Sequence, residues 1–179
     1  MSGMYDQILP QEHHRAKNGK AKLGLTVALA AVVLILCMVP VVRILFHQFY
    51  YKQFVSFLSE QTTQAYYKEN LRAEVDGVSL RITGDNAYVI YNAISGPGAG
   101  QIAGAPPKEE PDARLYYGTI ATMDLWDVPL SGDGGRSRGV YVEFRSNEVD
   151  FSYILNRTDM NYLMGALSPE KNPLWEEES

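Results

Sequence analysis

The distribution of apolar residues divides this chain sharply. From Leu23 to Val42, twenty consecutive residues (LGLTVALAAVVLILCMVPVV) carry no formal charge. At ~1.5 Å rise per residue, such a helix covers the ~30 Å hydrocarbon core of a bilayer. Soluble helices keep a polar stripe, which this run lacks. The bulky residues after it (Arg43-Ile44-Leu45-Phe46-His47-Gln48-Phe49) offer no small-residue cleavage site, so a retained anchor over 23–46 is predicted. Pro40 is tolerable near the end of a spanning helix. Arg43 can snorkel to the headgroups. Phe46, Phe49, Tyr50 and Tyr51 then form the expected aromatic belt at the membrane–water boundary.

Downstream, residues 47–73 contain neither Pro nor Gly. Tyr51, Phe54, Val55, Leu58, Thr62, Ala65 and Tyr66 recur with a helical period, predicting a juxtamembrane helix whose aromatic face packs on the domain. Gln61 and Lys68 break any continuous heptad seam. From Glu74 the period changes to two. Val78–Ile82 and Ala87–Tyr91, separated by Gly84-Asp85-Asn86, read as a hairpin. Leu115–Met123 reads as a third strand. Val140, Val142 and Phe144 line one face of a fourth, and Val149, Phe151, Tyr153 and Leu155 one face of a fifth. Thr158-Asp159 then caps a short helix bearing Met160, Leu163, Met164 and Leu167. The predicted class is α+β: a transmembrane helix extended by a juxtamembrane helix, then a five-stranded antiparallel sheet with one face packed and one wet, closed by a short C-terminal helix.

The corresponding organisation is a polar disordered tail (1–22), the anchor (23–46), the juxtamembrane helix (47–73), an α+β domain (74–168) and an acidic tail (169–179). In that last segment, Leu174-Trp175 either tucks against the domain or serves as a docking peptide. Two loops stand out. Residues 95–113 hold four Gly and four Pro, too few large apolar groups to fold alone, so a short Gly/Ser linker is expected to replace them without loss of stability. Residues 131–139 (SGDGGRSRG) form the second.

Charge sets the predicted orientation. Residues 1–22 carry four basic side chains (Arg15, Lys17, Lys20, Lys22) against Asp6 and Glu12, whereas residues 47–179 carry eleven Lys/Arg against nineteen Asp/Glu. Basic residues before the span place the N-terminus in the cytoplasm and the acidic domain outside. The acidic domain lacks the basic footprint of a nucleic-acid binder. The lone cysteine, Cys37, lies in the span, leaving the domain without a disulfide, which suits a bacterial envelope better than an animal ectodomain. Asn156-Arg157-Thr158 matches a glycosylation sequon and equally suits a turn.

Candidate chemistry is thin. The three histidines, His13, His14 and His47, precede the predicted domain, which therefore cannot assemble a His-dependent nucleophile or a His/Cys zinc site. Gly96-Pro97-Gly98-Ala99-Gly100 lacks the Lys-Ser/Thr pair of a phosphate-binding loop. Asp124, Asp127 and Asp133 gather around Trp126. Asp133-Gly134-Gly135-Arg136 does not supply the alternating ligands of a calcium loop, and the three carboxylates read as solvated turn residues rather than a glycosidase pair. No catalytic, metal or cofactor-binding residue is assigned.

The order of basic leader, apolar helix, helical extension and antiparallel sheet resembles a type IV pilin-like subunit, with Ala21-Lys22-Leu23-Gly24 at the position of a prepilin cleavage site. That resemblance implies processing after Gly24 and assembly in a pilus or secretion machine. The early mature helix of pilins usually carries Glu, where this chain reads Thr26-Val27-Ala28-Leu29-Ala30. The leading expectation is a non-enzymatic interaction or assembly domain of an envelope complex. Its partners are the lipid bilayer and either another membrane protein or a second copy. A ligand-sensing ectodomain is a further alternative.

Overall fold

The computed structural model describes residues 12–68, 70–96, 100–130 and 138–176, with side chains from Gly24 onward. The chain divides into two compact units, Met1–Ile44 and Leu45–Ser179. The first long element, α1 (Glu12–Lys68), contributes to both and contains Pro40. It starts inside the segment expected to be disordered, because a helix nucleated downstream propagates at little cost through Ala, Lys and Arg. Residues 1–11 lie outside the described residues.

In the first unit the described residues from Gly24 to Ile44 are all exposed. This single apolar helix near the N-terminus is compatible with a single-pass membrane anchor.

The second unit is α+β, and its sheet has seven strands rather than five: β1 (Leu71–Val75), β2 (Val78–Arg81), β3 (Gln101–Ile102), β4 (Ala113–Tyr117), β5 (Ala121–Pro129), β6 (Arg138–Ser146) and β7 (Asp150–Leu155). Their order is β2-β1-β4-β5-β6-β7-β3, and every pair is antiparallel. Besides the short β3, which forms inside the segment expected to be a loop, three local departures account for the difference. First, α1 stops at Lys68, and the true first hairpin turns at Asp76-Gly77, both with positive φ (51° and 76°). This is the two-residue turn that matches strand twist. Second, the expected return strand Ala87–Tyr91 is helix α2 (Gly84–Ile94), which buries Ala87, Ile90 and Ile94 at helical spacing. Third, the expected strand Leu115–Met123 is a hairpin, broken by Gly118 at φ 58° and closed by Ile120 N–H donating to Tyr117 O at 3.3 Å.

The inner face of the sheet is apolar: Leu71, Ala73, Leu80, Ala113, Leu115, Met123, Leu125, Val140, Val142, Phe144, Phe151 and Tyr153 are all buried. Phe144 and Phe151 therefore lie on the predicted buried side. The downstream part of α1 packs here through Tyr51, Phe54, Leu58 and Ala65. Phe54 sits at the centre, its ring 5.0 Å from Phe144, 5.6 Å from Phe151 and 5.5 Å from Tyr153. The aromatic face predicted for this helix is thus core from Tyr51 to Ala65, whereas Tyr66, assigned to the same face, is exposed. Helix α3 (Met160–Ala166), capped by the Asp159 carboxylate accepting from Tyr162 N–H, adds Met160, Leu163 and Ala166.

Three tyrosines of this layer give the fold a defined alkaline limit. Burial raises the phenol pKa of Tyr51, Tyr117 and Tyr153, and Tyr153 also donates to Ile94 O at 2.9 Å in a fully buried setting. In the unfolded chain these phenols ionise near pH 10. Below that pH both states hold the protons, and these groups contribute no pH dependence. Above it the unfolded chain releases protons that the fold retains, so stability falls. Each phenol still protonated in the fold adds about 1.4 kcal/mol of loss per pH unit. Denaturation midpoints should therefore be insensitive to these tyrosines up to about pH 10 and drop steeply beyond it. A midpoint unchanged through that range would show that the phenols reach water.

Candidate functional site

The outward face of the sheet carries the polar side chains, and strand alternation sorts them into rows. One row runs Arg81, Arg72, Tyr116, Thr122, Arg145, Asp150 across β2, β1, β4, β5, β6 and β7. The adjacent row runs Ser79, Glu74, Arg114, Asp124, Glu143, Ser152. Their contacts form a cross-strand network. Arg114 grips Asp124 with Nε on Oδ1 and with a second nitrogen 3.2 Å from Oδ2. Arg145 lies 3.5 Å from the same carboxylate and closes on Glu143. Tyr116 donates to Glu74 at 2.9 Å, and the Arg72 guanidinium sits 4.1 Å above the Tyr116 ring.

This geometry decides what the carboxylates can do. Asp124 is buried and engaged by two guanidiniums. Its hydrogen bond raises the Arg114 pKa further above the usual arginine range, and the Glu143 hydrogen bond raises that of Arg145. Asp127, three positions along β5, faces the other way and pairs with Arg138 at 2.7 Å. Neither residue is in a turn, as had been expected; both lie within β5. Asp133 lies outside the described residues. Asp124 and Asp127 are therefore separate ion pairs on opposite sides of one strand, an arrangement that cannot flank one glycosidic bond. Among the described residues, no group of three or more His, Cys, Asp or Glu is placed to hold a metal ion.

The loop expected to be replaceable also has a role on this face. Trp126 and Tyr141 are register neighbours in edge-to-face contact at 5.6 Å. Trp126 Nε1 donates to Glu109 O, and the Tyr141 hydroxyl to Gly104 O, each at 3.0 Å. Asp112 accepts from Asp127 N–H at 2.7 Å. Both rings are buried, so a Gly/Ser linker would have to leave them uncovered and would remove β3. The glycine-rich segment is likewise structural at the ends that are described. Gly96 O accepts from the Tyr51 hydroxyl at 2.9 Å. Gly100, at φ 61°, packs so closely on Ile154 O and Tyr153 that a Cβ has no room. Residues 97–99 lie outside the described residues.

At the far end of the polar face the β4–β5 and β6–β7 turns border an open groove of about 430 Å³, lined by Tyr116, Thr119, Ile120, Thr122, Arg145 and Asn147.

The residues predicted to meet the membrane divide. Arg43 is exposed in the first unit. In the second, Phe46, Phe49 and Tyr50 are exposed, with Phe46–Tyr50 stacked at 6.3 Å and Phe49–Tyr50 edge-to-face at 5.6 Å. Tyr51 departs from that set: it is 9% exposed and packs against Phe151 and Tyr153. One residue further along a helix turns the side chain by about 100°, which carries position 51 from the exposed collar into the core. His47, expected outside the folded body, lies 5.1 Å from the Phe151 ring. Asn156 of the sequon is exposed, whereas Thr158 donates to Ala93 O at 3.1 Å and anchors the turn.

One constellation escaped the sequence reading, and the strand edge that receives Leu174-Trp175, offered there as one of two alternatives, was a second unread detail. Asn172, 2% exposed, donates to Ala166 O and Ser168 O at 2.8 and 3.0 Å and accepts from Thr83 N–H at 3.2 Å and Asn86 Nδ2 at 3.0 Å. It therefore ties α3 to the start of α2, whose N-cap Thr83 makes no side-chain cap of its own. The second is the seating of Pro173–Trp175 along β2. No family model, curated protein or solved structure matches this chain.

Proposed function

We propose that the protein is a single-pass membrane protein that presents a non-enzymatic extracytoplasmic domain for interaction or assembly in a bacterial envelope complex. The observation that carries this reading is the division of labour within α1. Upstream, Leu25, Leu29, Leu34, Leu36 and their neighbours expose their apolar side chains all around the helix. In water, so large an apolar surface is strongly unfavourable, at roughly 25 cal/mol per Å²; lipid removes the penalty. Downstream, Tyr51, Phe54 and Leu58 of the same element are core residues of the domain. The apolar run and the segment that serves the core belong to one continuous helix. The exposed collar of Phe46, Phe49 and Tyr50 places aromatic rings beside the apolar run, one of them with the polar hydroxyl that suits a bilayer boundary. The non-enzymatic part rests on the central charges of the polar face, Arg114, Asp124, Glu143 and Arg145, which are engaged with one another.

Orientation follows from the basic N-terminal flank. In a Cys37→Ser background, a membrane-impermeant maleimide applied to intact cells should label Lys108→Cys, an exposed loop position. It should reach Ser2→Cys only after lysis. Labelling of position 2 but not of position 108 would invert the topology.

A second reading, a type IV pilin-like subunit, draws on one feature. The downstream part of a long N-terminal helix lies on the inner face of an antiparallel sheet. The two readings differ in whether the basic leader is removed after Gly24.

A further inference from the structure

We propose that the outer edge of β2 is a strand-addition site for an extended partner segment bearing an aliphatic–aromatic pair followed by carboxylates, and that the chain's own Pro173–Trp175 occupies it in cis. This deepens the interaction reading by naming a class of partner, and it is independent of the membrane anchor.

The edge is read out by backbone. Arg81 N–H donates to Pro173 O at 2.7 Å, Trp175 N–H donates to Ser79 O at 2.9 Å, and Leu80 pairs with Leu174 in an antiparallel bridge. A sheet edge is a template for another strand, and proteins cover it or blunt it. The opposite edge is blunted, since β3 is two residues long. The β2 edge is covered, but lightly: Pro173 is exposed, Leu174 is 61% exposed and Trp175 is half-buried. Releasing the segment breaks two backbone hydrogen bonds. The hinge is built in, because Asn172 is clamped by α3 and by the start of α2, so the segment can swing out from Pro173 while the core stays closed.

Side chains specify the occupant. The Arg81 guanidinium lies 5.6 Å from the Trp175 ring, and its register neighbour Arg72 lies over Tyr116. The row therefore reads aromatic, Arg, Arg, aromatic, with two like charges side by side at the edge. Such a pair repels itself and favours carboxylates nearby. The cis segment continues as Glu176-Glu177-Glu178, which is the chemistry expected of any strand that takes its place.

The test uses the full chain in nanodiscs. Trp175→Pro removes both the aromatic ring and the N–H that Ser79 receives, vacating the edge; a chain ending at Asn172 vacates it independently. The probe is a fluorescent peptide of sequence NPLWEEES. Binding should be micromolar to either vacated form and at least roughly tenfold weaker to the unaltered chain, where the cis segment competes. The Arg81 amide, exchanging faster with solvent in the vacated forms, should regain protection when peptide binds. N-methylation of the peptide's tryptophan nitrogen should abolish binding. Equal binding to vacated and unaltered chains, undiminished binding of the N-methylated peptide, or no binding to either vacated form would overturn the proposal. Self-association of the vacated chains in place of peptide capture would assign the edge to a second copy and likewise overturn it.

Discussion

Replacing Phe54 with alanine is expected to cost about 3–5 kcal/mol, enough to remove much of the stability of a domain this size. Phe54 is fully buried, and its ring is surrounded by those of Phe144, Phe151 and Tyr153 at 5.0–5.6 Å. Each such pair contributes beyond simple area burial. Because Phe54 belongs to α1, the loss would also show that the helix leaving the apolar span is an integral part of the core. Phe46→Ala, in the exposed collar, should change stability by less than about 0.5 kcal/mol. Pulse proteolysis across a denaturant series, on the chain in nanodiscs, separates the two. Equal effects at both positions would mean that the helical face has been misassigned.

The next largest effect is expected at Asn172. Leucine has nearly the same size but neither donates nor accepts. Asn172→Leu therefore strands the Ala166 carbonyl and the Thr83 amide that the native side chain serves. Each buried group left without a partner costs about 1–3 kcal/mol, and two are left at once. The clamp also fixes the chain just before Pro173, so protection of the Arg81 amide, which donates to Pro173 O, should fall in the same variant. Unchanged stability together with unchanged protection would show that α2 and α3 are held by their apolar contacts alone.

Some of this fold was legible in the residues. The apolar span needed only its length and lack of charge. β6 and β7 alternate cleanly, so Val142, Phe144, Phe151 and Tyr153 could be placed on the inner face. Asp159 before an apolar stripe marked α3. What misled was a mixture of periods. Tyr88-Val89-Ile90-Tyr91 looks like strand, but Ala87, Ile90 and Ile94 carry the helical spacing that tertiary packing selects. Asp76-Gly77, the strongest short hairpin signal in the chain, was obscured by running the preceding helix five residues too far, to position 73 rather than Lys68. Single-sequence patterns carry least information about long-range partners. Asn172 sits in an aperiodic acidic tail, and its importance lies in contacts with Thr83 and Asn86, 89 and 86 positions away. The cover of Trp126 and Tyr141 by backbone carbonyls of the 104–109 segment is invisible for the same reason: a carbonyl acceptor has no sequence signature.

The central claim, a retained anchor whose helix runs on into the domain core, is tested most directly by the mass of the protein extracted from membranes. The account predicts a species that still carries the basic leader upstream of Gly24, with Arg15, Lys17, Lys20 and Lys22 attached to the apolar helix. Arg43 favours this outcome. At a bilayer surface it can reach phosphate, whereas packing it unpaired among the apolar helices of a filament costs several kcal/mol. A mass corresponding to a chain that begins at Leu25 would contradict the account and favour the pilin-like alternative. A chain that begins beyond the apolar run would make that run a cleaved signal sequence.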